Sequence, residues 1–75
     1  MATKRIATIQ ERLTEALTIR EMKQIELCRV TGIPRDAISH YVRGKAVPRL
    51  NRIELISEAL DVSVGWLLGY DVPMN

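Results

Sequence analysis

The sequence predicts an all-α domain, a compact bundle of five short helices, and three observations predict it. Apolar residues recur at three- and four-residue spacing through most of the chain, glycines and prolines fall singly between those periodic runs, and no segment carries a strand signal. With 75 residues, 47% of them hydrophobic and 27% charged, the chain suits one domain and leaves no room for a second. A core of this size supplies only about 3 to 5 kcal/mol, so stability has to come from well-capped and tightly packed local elements. The expected domain spans residues 1–70, and 71–75 reads as a C-terminal tail or the start of a linker.

In the first helix Ile6, Ile9, Leu13, Ala16 and Leu17 make the apolar stripe, while Lys4, Arg5, Gln10, Glu11, Arg12 and Glu15 fill the other face. The second helix runs from Gln24 to Thr31 with Leu27 and Cys28 on its apolar side. It stops at Gly32, because glycine accepts the left-handed conformation that closes a helix. Ile33 and Pro34 restart the chain, and proline suits a first turn, where its missing N–H has no partner anyway. The third helix continues to Gly44, a second glycine stop. Pro48 precedes a fourth, whose stripe is Leu50, Ile53, Ile56, Ala59 and Leu60. Ser63 caps a short fifth helix, and Val62 and Leu67 flank that cap with the spacing of a hydrophobic staple.

Several function classes drop out. The longest run without a polar side chain, Val64 to Leu68, is far short of the roughly 20 apolar residues that span a bilayer, and the first residues lack the apolar core of a signal peptide. A single cysteine, Cys28, allows no intramolecular disulfide and agrees with a reducing cytoplasm. Ser39 and His40 are neighbours on a helix, so their side chains diverge by about 100° and form no nucleophile and base pair. Cys28 and His40 supply only two of the three or four ligands that a zinc site needs. The four glycines are scattered, which excludes a phosphate loop. Neither catalysis, nor a metal, nor a cofactor is expected.

The charge is segregated. From Gly32 to Arg52 stand Arg35, Arg43, Lys45, Arg49 and Arg52 against Asp36 alone, a net of +4; from Ile53 onward stand Glu54, Glu58, Asp61 and Asp71 with no base, a net of −4. The basic block begins at the glycine turn between two short helices, the second and the third, and that pair with its turn has the spacing of a helix-turn-helix. On its third helix Ile38 and Tyr41 face inward, while Arg35, Asp36, Ser39, His40 and Arg43 lie at i, i+1, i+4, i+5 and i+8 on one polar face. Each can donate to or accept from a base edge or a phosphate, as a helix lying in a major groove requires.

At these residues the sequence resembles the phage repressor and Cro family of helix-turn-helix regulators, the lambda repressor-like fold. The resemblance runs from Ile6 to Tyr70 and rests on Gln24, Leu27, Gly32 with Ile33, Ile38, Gly44 with Lys45, Pro48, and the stretch from Ala59 to Gly69. It implies that Arg35, Asp36 and His40 read bases with Ser39 beside them. It implies further that Gln24, Arg43 and Lys45 hold the sugar-phosphate backbone and that Arg49 reaches the backbone or the minor groove. The departures are specific. Lys23 stands where the family has a capping Ser, Thr or Asn, and Glu21 where a glycine closes the first helix. Cys28 takes an alanine slot and is expected buried and inert, Thr31 replaces an apolar residue, and Ile25 and Val30 replace polar ones, so helix two is expected to expose apolar surface. The places of an ion pair found in many relatives hold Leu17 and Val42, which are expected to touch.

The function expected is therefore sequence-specific binding of double-stranded DNA by a transcriptional regulator, a repressor of a phage or mobile-element promoter that inserts helix three into operator half-sites. The resemblance implies a homodimer on an inverted repeat; the C-terminal segment with Trp66, Leu68, Tyr70, Val72 and Met74 is an apolar candidate for self-association, although Trp66 and Leu67 are expected to close the core instead, and no membrane contact is expected. The alternative is an antitoxin or a protein-interaction adaptor of the same fold. Five bases around one helix and its following loop favour DNA. The expected location is the cytoplasm, on a bacterial nucleoid or as a phage-encoded protein; the end of the sequence resembles the place where longer repressors begin a linker, and a fragment of such a repressor and a complete small regulator both fit this length.

Overall fold

The computed structural model describes residues 4–75, and its helices are α1 (Ile9–Ile19), α2 (Gln24–Thr31), α3 (Arg35–Val42), α4 (Leu50–Leu60) and α5 (Val64–Leu67). Among the described residues there is no strand, only one antiparallel bridge between Arg5 and Tyr70. Among the described residues no helix is long and apolar enough to cross a membrane. The all-α class and the five-helix order are those the periodicity predicts.

Each helix is bounded by chemistry legible at its ends. Thr8 caps α1, its hydroxyl accepting from the Glu11 N–H at 3.1 Å while Glu11 Oε1 accepts from the Thr8 N–H at 2.9 Å. The Thr8 N–H, and after it the Thr8 hydroxyl, which donates to the same Oε1 at 3.0 Å, hold the Glu11 carboxyl below its ordinary range. Lys23 offers α2 no side-chain acceptor, and Glu26 Oε1 instead accepts from the Lys23 N–H at 3.3 Å, half of the same device. Ser63 caps α5 by accepting from the Trp66 N–H at 3.2 Å, with Val62 and Leu67 both buried as its staple. At the far ends, α1, α3 and α4 close alike: Met22 N–H reaches Leu17 O, Lys45 N–H reaches His40 O, and Val62 N–H reaches Ser57 O, all at 2.8–2.9 Å. That closure needs a left-handed residue, which is Gly44 (φ 74) in α3 but Glu21 and Asp61 (both φ 53) in α1 and α4.

The core is assembled from the stripes of all five helices, with Leu13, Ala16, Leu27, Ile38, Ile53, Ile56, Leu60 and Leu67 at or near zero exposure. Packed in this way, α1 rests on α3 and α5, α2 on α3 and α4, and α4 on α5. Each of these large apolar side chains contributes about 1.5–3 kcal/mol on burial. Arg20, at the end of α1, donates from Nε to Leu60 O and from Nη2 to Asp61 O, each at 2.8 Å, and so satisfies carbonyls at the end of α4.

Three expectations are corrected. Ile6 lies outside α1 and is 58% exposed, because the Thr8 cap starts the helix at Ile9. Leu50, expected in the stripe of α4, is 64% exposed at its first position, and Ser57 is buried in the stripe instead. Arg12, expected on a solvated face, is buried against Trp66. Residues 71–75 lie against the domain. Val72 and Met74 pack against the core, Met74 O accepts from Ser63 N–H at 2.6 Å, and Pro73 O accepts from the Ser63 hydroxyl at 2.9 Å. Trp66 is buried, Leu68 packs with Val72 and Met74 on the same core, and Tyr70 is half-buried, so the surface expected for self-association is largely spent within the chain.

The two ends of the described chain meet. Gly69 O accepts from Ile6 N–H and Ala7 N–H, and Lys4 O accepts from Asp71 N–H at 3.0 Å. Gly69 has φ +99, and a Cβ there would collide with the Ala7 carbonyl oxygen, so this crossing requires glycine.

Candidate nucleic-acid interface

The turn between α2 and α3 is three residues long, and each has a separate task. Gly32 turns the chain at φ +75, Ile33 buries its side chain in the core at 4% exposure, and Pro34 supplies an extended φ and ψ immediately before α3. Thr31 holds the turn from the other side. Its hydroxyl donates to Leu27 O at 2.7 Å and accepts from Ile33 N–H at 3.2 Å, so a polar residue in an apolar slot finds both its partners locally.

This turn fixes the rotation of α3. Ile38 (0% exposed) and Tyr41 (7%) point into the core, which leaves Arg35, Asp36, His40 and Arg43 exposed and Ser39 half-buried on the opposite side. Gln24, at the start of α2, comes beside them: Gln24, Ile25, Cys28, Arg35, Asp36, Ser39 and Arg43 line one depression between the two helices. Lys45 and Arg49 lie beyond α3 in its following loop and are also exposed. Arg49 lines a separate depression with Tyr41, Ala46, Val47, Asn51 and Arg52. The residues singled out from sequence thus divide into a cluster at the α2/α3 groove (Gln24, Arg35, Asp36, Ser39 and Arg43), His40 exposed on α3 but not lining that groove, and two basic residues in the following loop.

Among the described residues, none of the side chains of Gln24, Arg35, Asp36, Ser39, His40, Arg43, Lys45 or Arg49 makes a hydrogen bond within the chain, whereas the polar side chains at the helix ends do. The face is thus furnished with donors and acceptors that no internal partner among the described residues uses, opposite a side buried through Ile38 and Tyr41. Such a face can meet base edges and phosphates without first breaking intrachain bonds. No cluster of three or more His, Cys, Asp or Glu capable of holding a metal occurs among the described residues.

One detail revises the sequence expectation, one agrees with it and one extends it. Cys28 is half-buried and lines the α2/α3 depression rather than being fully buried. Val30 is 64% exposed, as the departures in helix two imply. Arg52, which sequence reasoning counted only as part of the basic block, donates from Nη1 to the Tyr41 hydroxyl at 2.9 Å. A link between residues eleven apart on two different helices leaves no local signal.

The family model described as helix-turn-helix matches residues 13–67, from Leu13 in α1 to Leu67 at the end of α5. No curated protein matches the chain. The match takes in the glycine turn, the buried and exposed sides of α3, and the two helices that support them. With five helices in this order and most of its length matched, the chain belongs to the helix-turn-helix family, in its lambda repressor-like branch of DNA-binding transcription regulators.

Proposed function

We propose that this protein is a repressor of a phage or mobile-element promoter, acting by occupying an operator with α3 in the major groove. Arg35, Asp36, Ser39 and His40 meet base edges; Gln24, Arg43 and Lys45 hold phosphates on either side, and Arg49 reaches the backbone or the adjoining minor groove. The observation that carries this reading is the unpaired polar face of α3 above a buried apolar one. Arginine offers a fork that fits guanine O6 and N7, and Asp36 can accept from a cytosine amino group. Repression follows from site occupancy and needs no cofactor. Two copies on an inverted repeat would double the contacted surface and read half-sites about one helical turn apart.

Selection of random duplexes against the purified protein tests the reading. Enrichment of an inverted repeat with half-sites about 10 base pairs apart supports it. No enrichment, together with duplex binding that does not depend on sequence, overturns it. A single enriched half-site would retain base reading and remove the dimer.

A further inference from the structure

Arg52 belongs to none of the roles assigned so far, and its surroundings are unusual for a surface arginine. It is half-buried in the first turn of α4, and its Nη1 donates to the hydroxyl of Tyr41, a residue of α3 that is itself 7% exposed. The partner is a neutral phenol, so the bond orients the guanidinium without cancelling its charge. No acidic residue lies in the first turn of α4. Among the described residues Nε and Nη2 of Arg52 have no acceptor within the chain. The side chain lines a depression with Arg49, Asn51, Ala46 and Val47, at the end of the basic block.

A guanidinium presents five donors in a planar fork that fits two oxygens of a phosphate. Holding one edge of that fork in place beforehand lowers the rotamer entropy lost when the other edge binds. Arg49 shares the depression, which concentrates positive charge where an anion would enter. A purely structural tie between α4 and α3 would be served as well by an uncharged donor.

We infer that Arg52 is a fifth backbone anchor, which Tyr41 positions to grip a DNA phosphodiester and which couples that grip to the placement of α3. The inference rests on the DNA reading above and names a phosphate contact that it did not contain. Because Tyr41 follows His40 on the same helix, a phosphate held by Arg52 also fixes the register at which the polar face of α3 meets the bases.

The test is equilibrium binding of the full chain to an enriched duplex and to a random one, by fluorescence anisotropy across a range of salt concentrations. Arg52→Gln should weaken both duplexes by a similar factor and reduce the slope of log affinity against log salt by about 0.9, the loss of one phosphate contact. Tyr41→Phe should weaken binding while keeping the slope, and the double variant should bind no worse than Arg52→Gln, because the hydroxyl acts only through the arginine. A slope unchanged in a folded Arg52→Gln protein would overturn the anchor and leave a structural tie. If Arg52→Gln does not fold, Tyr41→Phe alone decides: binding as tight as the unaltered chain overturns the positioning role. An unaltered protein that binds neither duplex would overturn the DNA reading itself, a distinguishable result.

Discussion

The guanidinium of Arg12 stacks on the indole of Trp66, its central carbon 4.5 Å from the ring centroid. Only 6% of Arg12 is exposed; Nη2 makes a long 3.4 Å bond to Tyr70 O, and Nη1 is buried with no partner among the described residues. A cation over an aromatic face gains about 0.5–2 kcal/mol, whereas a buried polar group left without a partner costs about 1–3 kcal/mol. The two effects nearly cancel.

Arg12→Met should therefore be neutral or slightly stabilising, because methionine fills the same space without a donor to satisfy. Trp66→Ala should cost about 3–5 kcal/mol, since it opens a cavity and removes the surface that shields the charge. Urea unfolding followed by circular dichroism compares the two. A large loss from Arg12→Met would show that the cation is a net stabiliser.

Glu21 occupies the left-handed position that closes α1, at φ 53. A side chain there costs about 1 kcal/mol or more relative to glycine. Glu21→Gly should raise stability by about 1 kcal/mol, an amount tempered by the greater freedom of glycine in the unfolded chain. Asp61→Gly, at the matching position of α4, should gain less, because aspartate tolerates this conformation better. Thermal unfolding of the two variants ranks them, and a gain at Asp61 exceeding that at Glu21 would contradict the argument.

Removing residues 71–75 takes Val72 and Met74 off the core and leaves the Ser63 N–H without its 2.6 Å partner. Two partly buried apolar side chains and one orphaned donor together come to about 2 to 4 kcal/mol. Truncation after Tyr70 should lower the urea midpoint accordingly. An unchanged midpoint would mean that the docked segment contributes nothing to the fold.

Leu17, 8% exposed, and Val42, half-buried, line one groove between α1 and α3. Leu17→Arg places a charge at the more buried of the two and should cost about 3–5 kcal/mol. Val42→Glu should cost less, and the two together should recover part of the loss through the new ion pair. A double-mutant cycle measures that coupling, and strictly additive losses would mean that the two side chains do not interact.

At the proposed interface, Arg35→Ala and Lys45→Ala should differ in kind. Loss of a base-reading arginine should cost about 1–3 kcal/mol on the enriched duplex and relax preference at one base pair. Loss of Lys45 should weaken specific and random duplexes alike and flatten the salt dependence. Equal losses from both variants on both duplexes would remove Arg35 from the readers.

The sequence by itself determined the helices, their order and the rotation of α3. Those follow from local rules: an apolar side chain every third or fourth residue, Gly32 and Gly44 where a left-handed residue must close a helix, Ser63 where free N–H groups need an acceptor. The candidate site was legible for the same reason, because once Ile38 and Tyr41 are buried the opposite face of a helix is set by its period. What only the tertiary structure decided are the contacts between residues distant in the chain. Arg12 looks like a surface arginine until Trp66 and Tyr70, more than fifty residues away, close over it. Val72 and Met74 look like a loose end until the end of α4 and the cap of α5 offer them a surface. Arg20 and Arg52 look alike as polar positions, yet one satisfies the carbonyls of α4 and the other bonds a phenol on α3. Periodicity reports which side of an element is buried and carries no information on which distant group will cover it; that is decided when the packed core brings the elements within reach of one another.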